Sequence, residues 1–462
     1  MALPDLLNLV YILSAIAFIL GFKLMSNPAS ARRGNLISAT GMGAAIVATL
    51  FFPDVVQYGY LTAGLVAGAV VGALFAYRTP MTGMPQMVGL LNGFGGLASL
   101  LVAWAEFHAH GAHMSLSAGL ITWITALIGA ITFSGSLVAW AKLEEKFIPS
   151  RPVTYSGQQW VTGFVLIAVV LLGLMFAWNA TNSAAYLYFG LMVLAALVLG
   201  ILLTIPIGGA DMPVVICLLN SYSGMAACAS GFLIGNTLLV VAGALVGASG
   251  IILTLIMCRA MNRSVANVFL GGFGAPVIAS GKEVAGEIKP VKADEAYLML
   301  EAANTVVIVP GYGLAVSQAQ HAVRELSEAL EKNGTEVRFA IHPVAGRMPG
   351  HMNVLLSEAN ISYEAMAEMD QINPVMETVD VCMIIGANDV VNPAAKEDKS
   401  SPLWGMPIIE ADRARTVIVM KRSMGKGFAG VENPLFFKNN TRMLFGDAKA
   451  SLQALVNEFK AG

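Results

Sequence analysis

Long apolar stretches broken by short turns occupy the chain as far as Arg263, and beyond it short β-branched runs alternate with amphipathic ones. A helix crossing a bilayer needs roughly 20 apolar residues. About nine segments qualify, near 4–22, 35–52, 56–77, 84–106, 117–141, 159–178, 184–204, 212–235 and 237–259. The short connections predict antiparallel neighbours. After Arg263 the period changes: Thr305–Val309, Glu336–Ile341, Val379–Ile385, Pro407–Ile409, Val417–Met420 and Met443–Phe445 read as strands. A helix is predicted over Ala315–Lys332, stopped by Asn333-Gly334, and another from Asp447. Strand–helix alternation implies a doubly wound parallel sheet. The predicted architecture is a multi-span α-helical membrane domain (1–263), a linker (264–300) and an α/β Rossmann-like domain with a parallel sheet (301–462).

Charge sharpens this division. Only 12% of residues are charged and 56% are hydrophobic, against about 25% charged in soluble domains. Nine Lys/Arg lie in 1–263: Lys23, Arg32, Arg33, Arg78, Lys142, Lys146, Arg151, Arg259 and Arg263; the other eighteen follow. With the N-terminus outside, all nine fall in inside loops, and the outside loops near 53–55, 107–116, 179–183 and 235–237 hold none. Nine spans therefore place the C-terminal domain in the cytoplasm. The first apolar run lacks a basic leader and continues into further spans, unlike a cleaved signal. No basic tract suggests nucleic acid. Cys217, Cys228, Cys258 and Cys382 show no CxxC spacing, so they read as small buried hydrophobes and no metal site is indicated.

Within the apolar half, Gly64/Gly68/Gly72 and Gly243/Gly247 form small-residue ridges suited to close helix packing. His108, His110 and His113 read as a solvated outside loop. Polar groups at membrane depth are costly and often line pathways. Candidates are Asn92, Ser134, Ser136, Asp211 and the string Asn220-Ser221-Tyr222-Ser223, with interhelical hydrogen bonding as the plainer alternative.

In the second half, Gly311-x-Gly313-x-x-Val316 lies between a strand and a helix, the context a dinucleotide fingerprint requires. Gly311 permits the turn, and Gly313 lets the backbone approach a pyrophosphate. An NAD site usually carries a carboxylate after the second strand. Here that strand ends His342-Pro343-Val344-Ala345-Gly346-Arg347, while Lys421-Arg422-Ser423 follows a later one. Basic and hydroxyl groups suit a 2′-phosphate, pointing to NADP(H). Gly386-Ala387-Asn388-Asp389 belongs to the same sheet edge, and Gly425, Gly427 and Gly430 make the last loop pliable enough for a lid.

The strings GGADMPVVICLLNSYSG, RAMNRS, PGYGLAVSQAQ, HPVAGRMPGHMNVLL, GANDVVNPAA, GMPIIE, KRSMGKGFAG and NPLFFKNNTRMLFGDAKAS together resemble the beta subunit of proton-translocating NAD(P) transhydrogenases, over essentially the whole chain. The resemblance implies hydride transfer between NAD(H) and NADP(H), of the Re/Si-specific type, coupled to proton movement. NADP(H) would bind this chain, turned about relative to ordinary Rossmann dehydrogenases. NAD(H) would bind an alpha partner that adds further helices, in a dimer of alpha–beta units in a bacterial inner membrane. Carried onto this sequence, the cofactor contacts are Tyr312, then Val344, Ala345, Gly346, Arg347, Met348 and Pro349. Gly386, Ala387, Asn388, Asp389 and Val390 follow, with Gly405 and Met406. Lys421, Arg422, Ser423, Met424, Gly425, Lys426, Gly427, Phe428, Asp447 and Ala448 complete the set. Asp389 would sense the redox or protonation state, and Arg347 with Lys421/Arg422 would recognise charge. Asn92, Ser136, Asp211, Asn220 and Arg263 match coupling positions, the last with the linker toward Leu300.

Two departures stand out. Many relatives have histidine where this chain has Asn92, and often tyrosine where it has Phe428. Asparagine does not titrate, so either an alpha-subunit group supplies the proton carrier or water bridges Asn92 and Asn220. The nicotinamide couples are nearly isoenergetic. One charge crossing 100 mV, worth about 2.3 kcal/mol, would shift their equilibrium roughly 50-fold. Two rival readings are a channel or secondary transporter gated by a nucleotide-sensing domain, and a non-catalytic NADP(H)-binding regulator. The chain has no TVGYG-type filter and no evident repeat.

Overall fold

The computed structural model describes residues 3–52, 57–209, 211–270, 286–427 and 429–461. They divide into two compact units: 1–255 with 266–273, and 256–265 with 274–462.

The first unit is helical. Its helices are α1 (Leu3–Met25), α2 (Pro28–Leu50), α3 (Tyr58–Arg78), α4 (Met84–His110), α5 (Leu116–Glu144), α6 (Gln158–Trp178), α7 (Ala185–Thr204), α8 (Met212–Leu233) and most of α9 (Thr237–Ala260). Eight are long and apolar enough to cross a membrane. The ninth, α2, begins seven residues before its expected start, at Pro28 rather than 35, and so takes in Arg32 and Arg33. Likewise α5 runs on to Glu144 and takes Lys142 into the helix.

The core of this unit lies among α4, α5, α6 and α7, around Phe107, Phe176, Phe189 and Met192. Close approach of α4 and α5 depends on glycine. A Cβ on Gly96 would stand 2.8 Å from Gly129 O, and one on Gly129 2.6 Å from Gly96 O. Gly243 faces Gly224 and Cys228 in the same manner, as its small-residue ridge predicts. The Gly64/Gly68/Gly72 ridge behaves differently: a Cβ at any of the three meets nothing within 4 Å among the described residues. No residue of α3 is buried.

The second unit holds six parallel strands: β1 (Thr305–Pro310), β2 (Glu336–Ile341), β3 (Met366–Glu368), β4 (Val381–Ile385), β5 (Thr416–Lys421) and β6 (Thr441–Phe445). Their order is β3-β2-β1-β4-β5-β6, so the winding reverses between β1 and β4. Strands β1 and β4 are buried almost throughout, as near-continuous Val/Ile/Met runs should be when helices cover both faces. Helix α10 (Val265–Leu270) belongs, after its first residue, to the helical unit; α11 (Ala293–Glu301) precedes the sheet, α12 (Tyr312–Val316), α13 (Gln320–Lys332), α14 (His351–Glu358), α15 (Met369–Ile372) and α16 (Ala394–Glu397) lie between strands, and α17 (Ala448–Ala461) follows β6.

Three expectations shift. The single helix from Ala315 is two, α12 and α13, parted at Gln318, whose φ is 50°. Pro407–Ile409 joins no strand. Strand β3, three residues long, had no sequence signal. Part of the expected linker, 271–285, and Phe428 lie outside the described residues.

Candidate functional site

Every turn of the nucleotide-type reading leaves the carboxyl edge of the sheet, where ligands bind in open α/β folds. The glycine turn after β1 nests against the turn after β4. Gly311 N–H donates to Ile385 O and Gly313 N–H to Gly386 O, both at 2.9 Å. A Cβ on Gly313 would stand 2.6 Å from Gly386 Cα, and one on Gly311 would collide with Ala387 backbone. These glycines therefore serve protein–protein backbone contact, and their amides are already engaged. Val316, at the end of α12, is exposed.

The loop after β2 presents Arg347 beside that turn, its guanidinium carbon 4.4 Å from the Tyr312 ring centroid. Two histidines absent from the expected set hold this loop. His351 Nδ1 accepts the Arg347 N–H at 3.0 Å, and a Cβ at Gly346, whose φ is +105°, would strike the same ring. Burial, with the nearby Arg347 charge, pulls His351 down to about 4. His342 Nδ1 accepts the Val344 N–H at 3.3 Å while Nε2 donates to Pro407 O at 2.9 Å, tying this loop to the Gly405-Met406 segment. Burial lowers His342 too, partly opposed by that carbonyl. Met348 and Pro349 are half-buried; Ala345 is buried.

After β4, Asn433 Nδ2 donates to both Asn388 O and Asn388 Oδ1, at 3.1 and 3.0 Å, and Val390 is buried. Asp389 Oδ2 accepts the Ala429 N–H at 2.9 Å. A Cβ on Gly427 would strike the Asp389 carboxylate. Lys421 Nζ bonds Gly425 O, and burial lowers its affinity for a proton, opposed by Asp389. The 421–430 loop is thus gripped from two sides. Arg422, Ser423, Met424 and Lys426 remain exposed on it. Asp447 caps α17 through Lys449 N–H and Ala450 N–H, at 3.1 and 3.2 Å, so one of its oxygens is committed to structure; Ala448 follows as the first residue of that helix.

In the helical unit, two coupling candidates meet. Asn92 Nδ2 donates to Ser136 Oγ at 3.1 Å, and Ser223 Oγ donates to Asn92 Oδ1 at 2.6 Å. Asn92 and Ser136 are buried. Asn220 does not join them; it is exposed on α8, while Ser223 three residues on takes the place expected for it. Ser134 instead bonds back to Ala130 O. Asp211 heads α8, its carbonyl accepting from Val214 N–H and Val215 N–H. Arg263 lies in the second unit, where its N–H returns to Cys258 O to close the end of α9. Among the described residues no group of three His, Cys, Asp or Glu could hold a metal ion.

The sequence pattern of the NAD(P) transhydrogenase beta subunit family matches residues 7–458. Two proteins of Rhodospirillum rubrum, one of them from a defined strain and both named NAD(P) transhydrogenase subunit beta, are each 49% identical over 456 residues. The alignments cover 96% of this chain and 97% of theirs.

Proposed function

Because the chain belongs to the NAD(P) transhydrogenase beta subunit family, we propose that it holds NADP(H) at the carboxyl edge of its sheet and reacts with NAD(H) held by an alpha subunit. It is a membrane subunit of a proton-translocating transhydrogenase. Membership sets aside the channel and regulator readings.

The carrying observation is the cationic rim: Arg347, Lys421, Arg422, Ser423 and Lys426 on two loops of the edge where the sheet's winding reverses, with no carboxylate on the loop after β2. Such a rim suits a 2′-phosphate. Because Gly311 and Gly313 amides are engaged by β4 and its turn, a phosphate must be met by other groups, which supports a turned-about cofactor. NADP(H), when bound, supplies the hydride donor or acceptor carbon. The protein's own task is positional. Tyr312 and Arg347 form a flat wall. Asp389 and Lys421 hold the 421–430 loop. A change in the Asp389 charge would loosen that loop through Ala429 N–H, giving proton and cofactor binding a shared lever.

In the helical unit, Asn92, Ser136 and Ser223 form a polar crossing point between α4, α5 and α8. Asp211 and Arg263 complete the proposed coupling positions. The active form is a dimer of alpha–beta units in a bacterial inner membrane, with the N-terminus outside, the sheet unit in the cytoplasm and Re/Si-specific transfer. The proposed divisions are 1–263, 264–300 and 301–462.

The test uses the full chain in sealed vesicles. Alone it should bind NADPH at least about tenfold more tightly than NADH, a difference of about 1.4 kcal/mol, and transfer no hydride. With an alpha partner, transfer from NADPH to an NAD analogue should be accompanied by internal pH change. Equal affinity for NADH, or transfer without a partner, would overturn the assignment.

A further inference from the structure

Lys142, in the last turn of α5, is fully buried, with 0% of its surface exposed. Its Nζ donates to Ile207 O at 2.7 Å and to Arg151 O at 3.2 Å. These carbonyls come from the α5–α6 and α7–α8 connections. The two connections are also stitched to each other: Gly209 N–H donates to Ser150 O at 2.7 Å and Val153 N–H to Ile205 O at 3.3 Å. A Cβ on Gly209 would displace the Ser150 hydroxyl. The amine is therefore sealed beneath a paired set of loops.

No counter-ion accompanies it. Glu144 pairs with Lys146 at 3.3 Å, and Glu145 and Arg151 point their side chains to the exterior. Helix α7 carries no charged residue, and α8 contributes only Asp211 at its head. From α4, the neutral Gln86 reaches Leu143 O at 3.3 Å. Among the described residues Lys142 forms no ion pair and meets no third acceptor.

Donor counting shows which form the two carbonyls suit better. An ammonium has three N–H groups; a neutral amine has two and a lone pair. Two carbonyls satisfy the neutral amine completely. A third N–H would bring an uncompensated buried charge and an unmet donor together. We propose that Lys142 is a proton-binding group of the membrane unit, accepting a proton on its lone pair when the two loops part and returning it as they close. The N–H bond forms with the nitrogen's own electron pair and breaks heterolytically, so no oxidant or reductant is involved. Ser136, bonded to Asn92, lies six residues earlier on α5, about 9 Å along the axis. The crossing point that cannot titrate is thus followed by a group that can. The inference rests on the proton-coupled reading of the chain.

The test pairs the full chain with its alpha partner in sealed vesicles, following internal pH and hydride transfer together. Lys142→Met keeps the apolar stem and removes the lone pair. Proton movement per hydride should fall about a hundredfold, the lower end of what a positioned acid–base group supplies. Lys142→Arg, permanently charged, should fall as far. Restoration by arginine would show a structural cation, and movement retained in Lys142→Met would show no role; either overturns the proposal. Retained NADPH binding reports folding of each variant. Should both misfold, ¹⁵N spectra of lysine-labelled wild-type chain followed against pH decide: one Nζ that turns to neutral amine before the exposed lysines do is expected, and an Nζ set that titrates together overturns the proposal. Wild-type chain that binds no NADPH would instead sink the functional reading, leaving the amine's state still measurable.

Discussion

His342 and His351 show how a neutral imidazole organises a binding loop. Each uses Nδ1 to receive a backbone N–H from the loop after β2, which only the unprotonated nitrogen can do. Their folded proton affinities lie below the ordinary histidine value, His351 at about 4. The unfolded chain therefore takes up protons first, so stability is complete above the ordinary value and declines as pH falls from there toward about 4. For His351 the full effect is about 3 kcal/mol. Amide exchange at 342–351, corrected for intrinsic rates, should accelerate between about pH 7 and about pH 5. His351→Asn, which can still accept from Arg347 N–H, should flatten that dependence. Constant protection across the range would refute the assignment. None of this was legible in the sequence, where HPVAGRMPGH displayed Arg347 as the chemical group and its supporting histidines as punctuation. The positions of Arg347 and of the basic pair at the end of β5 were legible because each stands beside a strand end.

At the scale of elements, glycines decide which backbones may touch. The turns after β1 and β4 interlock through Gly311, Gly313 and Gly386. Gly311→Ala should cost about 1–3 kcal/mol through forced backbone displacement and weaken NADPH binding. A crystal structure or melting curve unchanged from wild type would contradict that. The fingerprint's location was readable; its use was not, since periodicity cannot tell a phosphate from a neighbouring strand end. The helical unit offers a parallel case. The Asn92 side chain bonds Ser136 and Ser223 together, and Ser223 also reaches the Asn92 carbonyl; Asn92→Leu leaves Ser223 that carbonyl but takes the partner from buried Ser136, and should lower stability by about 1–3 kcal/mol. An unaltered melting temperature in detergent would show that the Ser136 hydroxyl finds another partner. Helix phase separates Ser223 from Asn220, and phase is fixed by packing partners rather than by local composition. The same applies to Pro407–Ile409: it has strand composition, but β4 is already flanked by β1 and β5 and offers no free edge.

For the molecule as a whole, the apolar-to-mixed change near Arg263 was the most legible feature, because lipid and water impose different compositions over hundreds of residues. Helix α2 was the exception, since its second turn carries two arginines that a hydropathy count excludes. The strand order has a further consequence, in time. The proposed cofactor edge needs the turn after β1 and the loops after β4 and β5, with β6 closing the sheet, yet β1 ends at Pro310 and β6 at Phe445. At ribosomal speeds of about 5–20 residues per second, roughly 7–27 s separate their synthesis. During that interval the helical half is already committed to the bilayer. For the first part of it, until β4 is complete at Ile385, the nascent sheet has β1 with one side unpaired, a hydrophobic edge waiting for a neighbour that has not yet been made.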